Sequence, residues 1–215
     1  VGAEFIRDVK PGEIVVASDE GITSIETHCG GKGTLCVFEF VYFARPDSVI
    51  EDASVHEARQ RAGAYLALEH PIQADVVIGV PDSGLDAALG YARQSGIPYG
   101  VGFIKNRYIG RSFIQPTENQ RKDTVQIKLS VIKSVVDGKR VIIIDDSIVR
   151  GTTSARIVRL LREAGAKSVH LLVSSPPFRY PCYFGTDIDS REHLIAHRLS
   201  SEEEIAKEIG VDSLG

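Results

Sequence analysis

The strongest constraint in the sequence is the stretch Val141-Ile142-Ile143-Ile144-Asp145-Asp146-Ser147-Ile148-Val149-Arg150-Gly151-Thr152-Thr153. An unbroken apolar run reads as a central strand with both faces buried, as in a parallel sheet flanked by helices. Two adjacent carboxylates stand where that strand emerges, and Gly151-Thr152-Thr153 opens a helix. Ligands of open α/β sheets bind at the carboxyl ends of the strands. A helix N-terminus offers unpaired N–H groups and a positive dipole end, which suit a phosphate. Gly151 lets the backbone approach closely, and the two threonines add hydroxyls. This is not a nucleotide-triphosphatase loop, because no Gly-Lys-Ser/Thr follows a Gly-rich stretch. The carboxylates would repel a phosphate unless they face something else. Ribose hydroxyls and a divalent cation are their natural partners. An isolated Asp-Asp would more simply cap a loop; the whole string points to a ligand.

The flanking chain alternates strand and helix. Strands are expected over Ala74–Val80, Tyr99–Ile104, Lys139–Ile144 and Ser168–Ser174, with Leu35–Ala44 a further one from its β-branched and aromatic content. Asp52 and Ser54 cap a helix through about His70, with Val55, Ala58, Ala62, Tyr65 and Leu66 on one face. Leu85–Gln94 is a helix stopped by Gly96, and Thr153–Ala164 one stopped by Gly165. Ser201 and Glu204 form a capping box for a helix ending at Gly210. Val125–Val135 is either extended or a short helix. This order predicts an α/β fold with a mainly parallel, doubly wound sheet. Before it, Phe5–Val9, Ile14–Ala17 and Ile22–Glu26 read as short strands, and Gly30–Gly33 as the boundary of a small β segment, residues 1–33, from the domain at 34–215.

Composition excludes several classes. The 25 basic and 29 acidic residues give a net charge of -4, which argues against a bulk electrostatic grip on nucleic acid. No apolar run approaches the roughly 20 residues of a membrane helix. Three cysteines make no disulfide framework and suit a reducing cytoplasm. The chain lacks Met and opens on Val1-Gly2-Ala3-Glu4, and so reads as a piece of something longer. The histidines have no metal-ligand spacing and are expected to be structural or solvated.

Val141–Thr153 resembles the phosphoribosyl-pyrophosphate (PRPP) signature of the type I phosphoribosyltransferases, in particular their glutamine PRPP amidotransferase branch. Tyr42-Phe43-Ala44-Arg45-Pro46-Asp47-Ser48, Gly79-Val80-Pro81-Asp82-Ser83 and Ile104-Lys105-Asn106-Arg107-Tyr108-Ile109-Gly110-Arg111 are similar to segments of the same branch, in the same order. The similarity runs from about Val1 to Leu214. It implies a type I phosphoribosyltransferase fold and displacement of diphosphate from PRPP by ammonia, giving 5-phosphoribosylamine for purine synthesis.

By this resemblance Asp145 and Asp146 would hold the ribose hydroxyls and stabilise charge on the anomeric carbon. Val149, Arg150, Gly151, Thr152 and Thr153 would cradle the 5-phosphate, and Ser147 would be a further PRPP contact. Asp82, Ser83 and Gly84 would take the diphosphate, and Ser83, Asp145 and Asp146 would meet Mg²⁺. Lys105, Arg107 and Tyr108 would be contacts of a lid, with Lys105 and Tyr108 catalytic. Residues 1–33 would correspond to the last strands of a glutaminase domain. Without that domain's N-terminal cysteine, the chain is expected to use free ammonia only. Cys36 and Cys182 match two of four ligands of a [4Fe–4S] cluster held by some members. The other two would lie past the end of this chain, so the cluster is expected in the parent and absent here. Cys36 and Cys182 are then expected to be buried as small apolar residues. Purine nucleotide feedback and a homo-oligomer are also implied. The competing readings are a PRPP-sensing regulatory protein and a base-salvage phosphoribosyltransferase.

Overall fold

The apolar run at 141–144 lies in an inner strand of a four-stranded parallel sheet. A computed structural model describes residues 2–106, 129–184, 188 and 190–215. Up to residue 106 the described elements are β1 (Ile14–Ser18), β2 (Gly21–Ile25), β3 (Val49–Ile50), β4 (Ala53–Ser54), α1 (Val55–Glu69), β5 (Val76–Gly79), α2 (Gly84–Ser95) and β6 (Phe103–Lys105). From residue 129 they are β7 (Leu129–Val131), α3 (Lys133–Val136), β8 (Arg140–Asp145), α4 (Thr152–Glu163), β9 (Ser168–Val173), α5 (Ile195–Arg198), α6 (Glu202–Ile209) and β10 (Ser213–Leu214). The chain divides into two compact units, 1–37 and 38–215, a few residues beyond the Gly30–Gly33 run.

In the first unit β1 and β2 form an antiparallel hairpin, pairing Ile14 with Ile25 and Ser18 with Gly21. Every residue of both strands is exposed. Phe5–Val9 is not a strand, contrary to its apolar pattern; Arg7 instead turns to ion-pair with Glu13 at 2.6 Å.

In the second unit β10, β9, β8 and β5 form a parallel sheet in that order. The segment at Pro98–Gly100 runs along the free edge of β5, bonded through Val77 to Pro98 and Gly100. Ile142 and Ile144 of β8 pack with Val77 and Leu172 beneath α1 and α2. Val141 and Ile143 face the other way, toward α4 and α6. Alternation on a sheet covered on both faces makes every position apolar, which is why this strand reads as a continuous run.

Three local expectations are corrected. Leu35–Ala44 is not a strand: Glu39–Phe43 is a single π-helical turn closed by the Ala44 N–H on the Glu39 carbonyl. The expected stripe on α1 is shifted, with Tyr65 exposed and Val55, Arg59, Gly63, Leu66 and Ala67 buried. The expected Tyr99–Ile104 strand shortens to Phe103–Lys105, which pairs antiparallel with β7. Of Val125–Val135, the described part is a short strand followed by the start of α3; residues 125–128 lie outside the described residues.

Candidate functional site

Because β5 and β8 are adjacent and parallel, Gly79 and Asp145 end at the same edge of the sheet. The Val80 N–H continues the ladder to the Ile144 carbonyl at 2.9 Å, and then both chains turn away. The turns nearly touch: a Cβ at Gly84 would collide with the Ile144 carbonyl. Gly84 is buried, gives its N–H to the Val80 carbonyl at 3.0 Å and is not on the cleft wall, so its contribution is this close approach. The Pro81–Asp82 peptide is cis.

That approach brings Ser83 to Asp146. The Ser83 hydroxyl donates to Asp146 Oδ2, and the Ser147 hydroxyl to Oδ1. Ser83 therefore does not cap α2, the simpler role for a serine at that position. Asp145 Oδ1 accepts from the Asp146 N–H at 2.9 Å. Both aspartates are buried, at 8% and 7% exposure. Burial, then the neighbouring Asp146 charge, pushes Asp145 up to about 7. Burial also raises Asp146, against the serine hydroxyls and the charge of Arg59.

Downstream, Gly151 adopts φ 80°, a left-handed conformation that suits glycine, and carries no side-chain cap for α4. The start of α4 is thus left without a side-chain cap where Gly151, Thr152 and Thr153 line the cleft. The Val149 carbonyl accepts from the Ile195 N–H at 2.9 Å, and the Ile195 side chain lies directly behind Gly151. The loop is braced from below and open above.

These parts line one cleft of about 1000 Å³. Asp82, Ser83, Lys105, Asp145, Asp146, Ser147, Val149, Arg150, Gly151, Thr152 and Thr153 are all on its wall. Lys105 pairs with Asp82. Arg107 and Tyr108 lie outside the described residues. The opposite wall was not assigned from the sequence. It comprises Phe38, Tyr42, Phe43, Arg45, Arg59 and Phe178, with Phe38 edge-on to Phe178 at 4.8 Å. Arg59, 5% exposed, secures this wall by donating from Nε to the Phe40 carbonyl at 2.7 Å and from Nη2 to Ala44 at 2.9 Å. Burial lowers its pKa, against the charges of Asp86 and Asp146. No local signal marked Arg59, which stands among His56, Glu57, Gln60 and Arg61 on α1; the aromatic segment resembled the family without indicating a site.

A family model described as the phosphoribosyl transferase domain matches residues 51–177, more than half of the chain. The chain belongs to the phosphoribosyltransferase family. It is 53% identical to an amidophosphoribosyltransferase of Synechocystis over 100% of this chain and 43% of that protein. It is 52% identical to the Bacillus subtilis amidophosphoribosyltransferase, over 100% of this chain and 45% of that one. The solved structure of B. subtilis glutamine PRPP amidotransferase complexed with ADP and GMP superposes with a TM-score of 0.83 at 52% identity, covering 99% of this chain and 47% of that chain. The chain thus spans less than half the length of these relatives. Its second unit has the type I phosphoribosyltransferase fold, a mainly parallel sheet flanked by helices, and antiparallel strands lie at the N-terminus.

Phosphoribosyltransferases of this kind imply a divalent cation, and the donors fit one. Two buried adjacent carboxylates and a serine hydroxyl are hard oxygen ligands, and a cation would relieve the burial that raises both aspartates and the repulsion that raises Asp145. An iron–sulfur cluster does not fit this chain by itself, since it needs four thiolates and the chain has three cysteines. Against expectation, Cys36 is exposed and Cys182 only half-buried; each lies in a segment without helix or strand. Among the described residues no helix is long and apolar enough to cross a membrane.

Proposed function

We propose that this phosphoribosyltransferase domain transfers the phosphoribosyl group of PRPP to ammonia, giving 5-phosphoribosylamine and diphosphate. The observation that carries the reading is the buried Asp145–Asp146 pair, set between two anion-suited turns in one cleft. The loop from Ser147 to Thr153 would hold the 5-phosphate on the N-terminus of α4. Asp145 and Asp146 would accept hydrogen bonds from the ribose 2- and 3-hydroxyls. Their negative field would stabilise positive charge growing on the anomeric carbon as its bond to diphosphate breaks. The turn at 80–83 and Lys105 would receive the diphosphate, which leaves with the bonding pair. Ammonia supplies the pair for the new C–N bond and then loses a proton to solvent, so no strong general base is required. The walls would hold the ring in place and limit access of water. Mg²⁺ held by Ser83, Asp145 and Asp146 would neutralise the leaving group.

Residues 1–33 are read as the closing strands of a glutaminase domain, and these 215 residues are expected to act on ammonia rather than glutamine. Arg107 and Tyr108 are kept as lid contacts, and purine nucleotides as feedback inhibitors of a cytoplasmic homo-oligomer. The B. subtilis structure complexed with ADP and GMP supports a nucleotide response. The test is Mg²⁺-dependent diphosphate release from PRPP with ammonia, against each free base and against glutamine. Turnover with ammonia is expected. Turnover with a base alone would make this a salvage enzyme, and PRPP binding without turnover a sensor.

A further inference from the structure

The turn that closes β5 puts a carboxylate, Asp82, on the cleft wall where the diphosphate is read to sit. A carboxylate there works against an anionic ligand unless something neutralises it. Lys105, the last residue of β6, does so: its Nζ ion-pairs with Asp82 Oδ2. The other cations that line the cleft among the described residues have different engagements. Arg45 pairs with Asp47 at 2.8 Å, Arg59 is committed to two backbone carbonyls, and Arg150 belongs to the loop before α4. The Asp82 side chain is 64% exposed and that of Lys105 31%. An ion pair so accessible to water is weak. A diphosphate carries more charge than one carboxylate and can take the ammonium over.

We propose that Asp82 sets the affinity of the diphosphate subsite by competing for Lys105. In the free chain Asp82 holds the ammonium across the subsite. An arriving diphosphate breaks that ion pair and forms its own with Lys105, and on departure the pair re-forms. No covalent bond changes. Asp82 therefore weakens binding of the diphosphate group and speeds its release, the reverse of a side chain that grips the substrate. Its backbone can still line the turn. The inference deepens the phosphoribosyl reading and rests on it.

The test measures the dissociation constant of inorganic diphosphate with Mg²⁺ by calorimetry, in the full chain and in Asp82→Asn, Lys105→Met and the double variant. Lys105→Met is expected to raise the constant about tenfold, as for loss of a charge-assisted contact. Asp82→Asn is expected to lower it about three- to fivefold, corresponding to loss of an ion pair of up to ~1 kcal/mol. In the Lys105→Met background the same change should give less than about twofold, because the competitor has nothing to compete for. Asp82→Glu keeps the charge and should stay close to the parent chain. Weaker or unchanged binding by Asp82→Asn overturns the proposal, as does an equal gain with and without Lys105. If the unaltered chain binds neither Mg²⁺-diphosphate nor PRPP, the phosphoribosyl reading itself fails. Thermal melting of each variant checks folding, which an exposed Asp82 should not disturb.

Discussion

At the residue scale, the carboxylates that end β8 are held against their own chemistry. Asp145 and Asp146 are desolvated and adjacent, so the fold carries a cost there that a neutral pair would not. Asp145→Asn is therefore expected to raise the melting temperature by a few degrees while cutting diphosphate release from PRPP at least about a hundredfold. A fall in both would make Asp145 a packing residue instead. His170 is a different case. It lies between Ser213 at 2.8 Å and Ser168 at 3.1 Å, and burial lowers its pKa below 6.5. A depressed folded pKa contributes stability that is present above about 6.5 and lost as pH falls through the folded value. Melting curves from pH 7.5 to 5 should therefore fall less steeply for His170→Gln than for the parent chain. The aspartate pair was legible because strand end, carboxylates and helix start are consecutive. The setting of His170 was not, since Ser213 reaches it from a distant strand.

At the scale of elements, local pattern worked where a segment's own caps and period decide its form. Ser54 accepts from the Glu57 N–H and Ser201 from the Glu204 N–H, as their positions before helices predict. The capping box is incomplete only in that Glu204 returns to the Ser200 N–H rather than to that of Ser201. Leu35–Ala44 shows where pattern fails. Its aromatic and β-branched content signals a residue set that wants a packed surface, and a sheet is only one such surface. Here Phe38 finds Phe43 and Phe178 instead. The stripe on α1 was misplaced for a related reason: its contact with α2 is made by glycine, which no hydrophobic count detects. A Cβ at Gly63 would collide with the Ala87 carbonyl, and one at Gly90 with that of Gln60. Gly63→Ala should push the two helices apart and cost about 1–3 kcal/mol in denaturant unfolding, despite its better helix propensity.

At the scale of the whole molecule, the cleft collects parts from residue 38 to residue 188. Arg59 ties its aromatic wall to α1, while its charge acts on Asp146. Arg59→Met would leave two carbonyls without their donor, and a loss of about 3 kcal/mol in unfolding free energy is expected. Turnover should fall further than in Arg59→Lys, which keeps the charge and one donor; equal activity in both would remove the wall from the mechanism. By itself the sequence determined the alternation of the main strands and helices from residue 54 to residue 174, the parallel sheet, and the carboxylates and phosphate-suited loop at one strand end. Each of these is encoded in neighbouring residues by hydrophobic period, capping and glycine placement. Only the tertiary structure decided that Ser83 serves Asp146 rather than capping α2, that Asp82 holds Lys105, and that Arg59 and the aromatic segment complete the cleft. Those contacts join segments far apart in the chain, and distance along a chain says nothing of them until a packed sheet has set its turns side by side.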